Sequence, residues 1–256
     1  MIETRYDMSS FRDSLLFSLQ QTAEQYLTKL ADDNGWILFA TDWAGMAQFD
    51  VITALRVMVA RLDEMSSIPE RTAQGFADNA VALRLATLGL SQEPSLQTTS
   101  GVALLPAGTK SGYYGNSQGS VIGGGYVSLS PDLQRAVLGV PGCPYALLLS
   151  RSKDFAPYHA ALKMQLSSEQ DVRLALSLMQ QLWDMGDSAG YLRHMNLEPL
   201  AGCQPKEVLL QAALGDKQVT PLGAEIMARA YGASTVSPQT RSVFGLRERK
   251  AHTEIT

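Results

Sequence analysis

Cysteine is scarce in this chain of 256 residues. Cys143 and Cys203 are the only two, which excludes a disulfide scaffold, and no Cys/His spacing suits zinc. Histidine is almost as rare: His159, His194 and His252 lie far apart, so any imidazole chemistry rests on one of them. An excess of basic charge is also missing. Lys and Arg number 21 against 25 Asp and Glu, and they are scattered, so there is no electrostatic footprint for nucleic acid. No apolar run reaches the length of a transmembrane span. The first residues, MIETRYDMSSFRDSLL, are charged and amphipathic, unlike a signal peptide. By default this places the chain in the cytoplasm; a missing N-terminal leader would make it secreted or periplasmic. Internal repeats and low-complexity tracts are absent.

What remains is a chain that is 45% hydrophobic, enough for one domain over residues 1–256. Helical spacing of Phe11, Leu15, Leu19, Ala23, Leu27 and Leu30 predicts a helix over 9–30, ended by Asn34-Gly35. Residues 36–40 of WILFATDWAG read as a strand buried on both faces and ending at Asp42. Helices are expected over 50–64 and 70–90, interrupted by Pro69, and then a loop over 95–110. RAVLGVPG (135–142) and EVLLQAALGD (207–216) read as strands. A helix begins at Pro221, and SVFGL (242–246) suggests a last strand. Strands alternating with helices predict an α/β fold with a mainly parallel sheet and helices on both faces. The helical stretch 145–196 breaks that alternation as an insertion. Its aspartates, Asp184 and Asp187, read as solvated.

The stretch GYYGNSQGSVIGGG (112–125) packs six glycines around Ser117 and Ser120. Gly115-Asn116-Ser117-Gln118-Gly119 matches G-x-S-x-G. In that motif a strained serine sits on a sharp strand-to-helix turn, and small residues two before and two after it keep strand and helix from colliding. A helix starting there aims its first amides at the serine, so the Gln118 amide becomes an oxyanion donor. Gly123, Gly124 and Gly125 each cost a helix roughly 1 kcal/mol relative to alanine, which points to close packing behind the turn. A P-loop lysine is absent, and so is a G-x-G-x-x-G dinucleotide fingerprint. The bland alternative is a flexible glycine loop.

On these residues the chain resembles the α/β-hydrolase superfamily. GWILFATDWAG is similar to the superfamily's strand ending in Asp and a glycine loop, and YYGNSQGS to its nucleophile elbow. RAVLGVPG resembles the strand after the elbow helix, and LLQAALGDKQVTPLGAEIMARA resembles the strand, acid turn and helix that follow. The resemblance implies ester hydrolysis through a Ser117 acyl-enzyme on a small-molecule ester, with no metal or organic cofactor. Asp216 is then the triad acid, and segment 145–196 a helical cap. The order Ser…Asp…His leaves His252 as the base, with two other readings open: a solvated tail histidine, or a base lying beyond Thr256. The loop that supplies the second oxyanion amide should follow a strand ahead of WILFA, where the sequence shows the 9–30 helix instead. Both departures point to a truncated chain. The alternatives in function are a catalytically incomplete hydrolase-fold protein with a binding role, or a peptidase or acyltransferase on the same scaffold. Oligomeric state is not legible.

Overall fold

The computed structural model describes residues 2–6 and 25–250. These residues form a mixed α/β fold around a five-stranded parallel sheet. The strands are β1 (Ile2–Tyr6), β2 (Phe39–Ala40), β3 (Tyr113–Ser117), β4 (Arg135–Gly139) and β5 (Glu207–Gln211), in the spatial order β2-β1-β3-β4-β5. After β1 the chain builds outward to β2. It then returns to lay β3 on the other side of β1 and continues to β4 and β5. The reversal lies between β1 and β3, and in open parallel sheets the crevice beyond the strand ends at such a switch point is where ligands bind. The register pairs Tyr6 with Ser117 there.

The helices are α1 (Gln25–Asn34), α2 (Gln48–Ala60), α3 (Ser67–Arg84), α4 (Gln118–Leu129), α5 (Tyr145–Arg151), α6 (Ala156–Gln165), α7 (Glu169–Trp183) and α8 (Pro221–Ala230). The central one is α4, which packs across β1, β3 and β4 and against the turn Ser188–His194. Every residue from Gln118 to Ser128 is buried, as expected of a helix with no polar face. Its glycines let neighbours close in: a Cβ on Gly123 would stand 2.4 Å from the Tyr113 ring. Beyond its C-terminus, Lys206 Nζ donates to the carbonyls of Ser130 and Leu133, both at 2.6 Å. Trp43 packs edge-on against Phe76 and Tyr126, tying the loop after β2 to α3 and α4. No helix among the described residues is long and apolar enough to cross a membrane.

Several expectations need correction. A strand does precede WILFA: β1 lies between β2 and β3, although Glu3 and Arg5 hide it from a search for apolar runs. The strand expected over 36–40 shrinks to Phe39–Ala40, and Trp36 and Ile37 are exposed rather than buried on both faces. Pro69 does not interrupt a helix. It sits in the first turn of α3, where its missing N–H goes unused. Strand β5 ends at Gln211, five residues before Asp216. SVFGL is a turn, with Gly245 at φ 80° reversing the chain. The strands in that region are β6 (Ser234–Ser237) and β7 (Arg247–Lys250), paired parallel in a separate sheet. Asp187 is fully buried, not solvated. Most of the helix expected over 9–30, and His252, fall outside the described residues.

Candidate active site

The backbone of Ser117 has φ 52° and ψ −122°. A positive φ is costly for a residue carrying a Cβ, and this pair of angles suits glycine in the first central position of a type II′ turn. Ser117 and Val140 are the only described non-glycine residues with positive φ. The strain arises because β3 ends at Ser117 and α4 begins at the next residue, with no connecting loop. The turn is so tight that a Cβ on Gly115 would stand 2.4 Å from the Gly119 carbonyl oxygen. Glycine is therefore required by backbone meeting backbone. Tyr113 Oη donates to that carbonyl at 2.6 Å, and Ser120 Oγ donates to the Ser117 carbonyl at 2.6 Å, so both flanks of the turn are held.

The Ser117 hydroxyl does not cap its own helix. It is half-buried, and the first turn of α4 carries no acidic side chain to offset the positive end of the helix dipole. The amide of Gln118 is one of the first free N–H groups of that helix. The Gln118 side chain is buried and donates through Nε2 to Tyr145 Oη and to Met46 Sδ, the latter at 3.1 Å. It thus clamps the turn between α5 and the loop after β2. Burial first, and then the nearby Asp187 carboxylate, push the Tyr145 phenol well up, so it stays protonated.

The loop after β2 is pinned in its turn by Asp50. Its Oδ2 accepts from the amides of Gly45 at 2.8 Å and Ala47 at 3.1 Å, while Oδ1 meets Arg71 at 2.7 Å. On the other side, α5 is held by Asp187. That carboxylate accepts from the Tyr145 amide and Gln180 Nε2 through Oδ2, and from the Ala189 amide through Oδ1. No cation among the described residues faces it, and burial raises it from its ordinary 3.8 to about 6 against the pull of those three donors. Nothing in the sequence marked Asp187 for this role, since all three donors come from the tertiary fold or the local turn.

Asp216 is half-buried in the loop beyond β5. Its Oδ1 accepts from the amides of Gln218 at 2.7 Å and Val219 at 3.0 Å. Its other oxygen has no partner among the described residues. Asp216 and Ser117 both follow the C-terminal ends of parallel strands, with β4 between them, so the two strand axes are about 10 Å apart. They make no hydrogen bond with each other. His194 Nδ1 is bonded to the Glu198 carbonyl at 2.7 Å, and His159 lies on α6. Neither bonds to Ser117 or Asp216, and His252 lies outside the described residues. No cluster of three metal-ligating side chains occurs among the described residues.

Against this geometry, no family model, curated protein or solved structure matches the chain.

Proposed function

We propose that the chain is a serine hydrolase of α/β-hydrolase architecture that cleaves carboxylic esters. One observation carries the reading: Ser117 holds a strained positive φ at a strand-helix junction made possible by Gly115 and Gly119. Strain of this kind is kept at functional sites and is rare elsewhere. The strand order supports it, because it sets the serine at the switch point of a parallel sheet. Asp216 supports it as the acid, with one oxygen held by backbone amides and the other available to an imidazole.

In this reading Ser117 Oγ attacks the ester carbonyl while an imidazole, supplied by His252, accepts its proton. The Gln118 amide, at the N-terminus of α4, stabilises the oxyanion, a contribution of roughly 3 kcal/mol for such a donor. The imidazolium returns its proton to the leaving alcohol. It then takes a proton from water, which attacks the acyl-enzyme and releases the acid. Asp216 orients the ring and stabilises its charged form. Tyr6 beside Ser117 puts the exit of β1 next to the nucleophile, the position from which a second oxyanion amide would come. Helices α5 to α7 serve as the cap.

The test is hydrolysis of p-nitrophenyl esters by the wild type, Ser117→Ala, Asp216→Asn and His252→Ala. Ser117→Ala abolishes turnover, and Asp216→Asn lowers kcat by several orders of magnitude, about 10⁴-fold where a triad is complete. Unchanged activity in Ser117→Ala ends the proposal. The second reading, a hydrolase-fold binding protein without turnover, draws on one observation: neither described histidine bonds to Ser117 or Asp216. A wild type inactive on every ester, with a correctly folded elbow, selects it.

A further inference from the structure

A cavity of about 40 Å³ opens one residue past Ser117, with Gln118 in its wall. Helix α2 and the loop before it contribute Met46, Ala54 and Met58, and the cap contributes Leu149 and Phe155. Gln118, Tyr145 and Asp50 in the wall are already hydrogen-bonded, while the buried Trp183 Nε1 is left without a partner among the described residues. Gln118 Nε2 is taken by Tyr145 and Met46, and both Asp50 oxygens by Gly45, Ala47 and Arg71. Among the described residues, no lysine, arginine or histidine lines the space. The Asp50 carboxylate in the wall is already paired with Arg71, so a charged group entering would lose its water and gain no free counterion, a penalty that excludes ionic chains. A water-sized group needs about 10–15 Å³ of such space, so the cavity has room for about three or four.

We propose that this cavity binds a short, neutral hydrocarbon chain of three to four carbons, the acyl side of the ester. The acyl assignment rests on the hydrolase reading above; the cavity's preference for such a chain rests on its walls. Burying a methylene is worth about fourfold in binding, so moving from acetyl to butyryl raises kcat/KM about fifteenfold. A longer chain outgrows the space, and the rate falls again.

The experiment compares p-nitrophenyl acetate, butyrate and octanoate. In the wild type butyrate exceeds both others by about tenfold or more. Ala54→Leu adds three carbons to the space and collapses the butyrate-to-acetate ratio to about twofold or less. Leu149→Ala, checked for folding by far-UV circular dichroism, opens the space and moves the optimum to a longer chain. A wild type that treats acetate, butyrate and octanoate alike overturns the inference, as does an unchanged ratio in both variants. If Ser117 still reacts with a fluorophosphonate in that case, the hydrolase reading survives and the pocket alone has failed. If no ester is turned over and Ser117 is not labelled, the hydrolase reading has failed, and butyramide titrated against the wild-type chain decides the cavity by methyl NMR. Shifts at the Met46 and Met58 methyls that Ala54→Leu removes retain it, and their absence overturns it.

Discussion

Replacing Ser117 by alanine or by glycine removes the same hydroxyl, but only glycine also removes the Cβ that makes φ 52° costly. Backbone strain of this type is worth of order 1–3 kcal/mol. Glycine releases it and gives back about 0.4–1 kcal/mol through the greater freedom of the unfolded chain. Ser117→Gly should therefore be more stable than Ser117→Ala by about 1 kcal/mol. For a chain of this length that is about 2–4 °C in Tm, within reach of scanning calorimetry. Ser117→Ala keeps the strain, and the lost hydroxyl capped nothing, so its stability stays within about 0.5 kcal/mol of the wild type. On the proposed function, both variants should be inactive on esters. A Ser117→Gly protein that melts at or below Ser117→Ala would refute the strained elbow, and with it the main support for a nucleophile at this position.

Two other perturbations follow from the same geometry. Gly115→Ala drives a Cβ to 2.4 Å from the Gly119 carbonyl oxygen and should cost about 3 kcal/mol or more, whereas Gly112→Ala meets nothing closer than 3.5 Å and should stay within about 0.5 kcal/mol. Denaturant titration of both variants checks the contrast, and equal losses would contradict it. Asp187 gives a dependence on pH. Its folded value of about 6 lies above its ordinary 3.8, so between these the folded state holds a proton that the unfolded state has released. This contribution is fully present below about pH 3.8 and is lost as pH rises through about 6, a change of roughly 3 kcal/mol in all. The stability of the wild type relative to Asp187→Asn should fall by that order between pH 4 and 7, and a flat difference would show that the carboxylate titrates normally.

The tight strand-to-helix turn at Ser117 was legible because its spacing is local. Gly115 and Gly119 face each other across one tight turn, and that requirement writes itself as G-x-S-x-G. The helix at Pro221 and the buried strand at Arg135–Gly139 were legible for similar reasons, a first-turn proline and a short apolar run. Strand β1 was not, because IETRY carries charge at alternate positions and is fixed by its two parallel neighbours. SVFGL misled in the opposite way: its β-formers surround a glycine that turns the chain, while the paired strand, Arg247–Lys250, is exposed at every residue and shows no hydrophobic pattern. Asp187 looked like a helix-surface charge because Tyr145 comes from distant sequence and Gln180, seven residues back, reaches it only once the chain turns after α7. The cavity was illegible for the same reason, since the segments lining it run from Gly45 to Trp183 and meet only in the fold.

The central claim is that Ser117 is an activated nucleophile, and covalent capture tests it most directly. The wild-type chain is treated with a fluorophosphonate, and the adduct is located by intact mass and peptide mapping. The account predicts one phosphonyl group per chain, on the peptide containing Ser117, and none in Ser117→Ala. No adduct on the folded wild type, or an adduct that persists in Ser117→Ala, would contradict it.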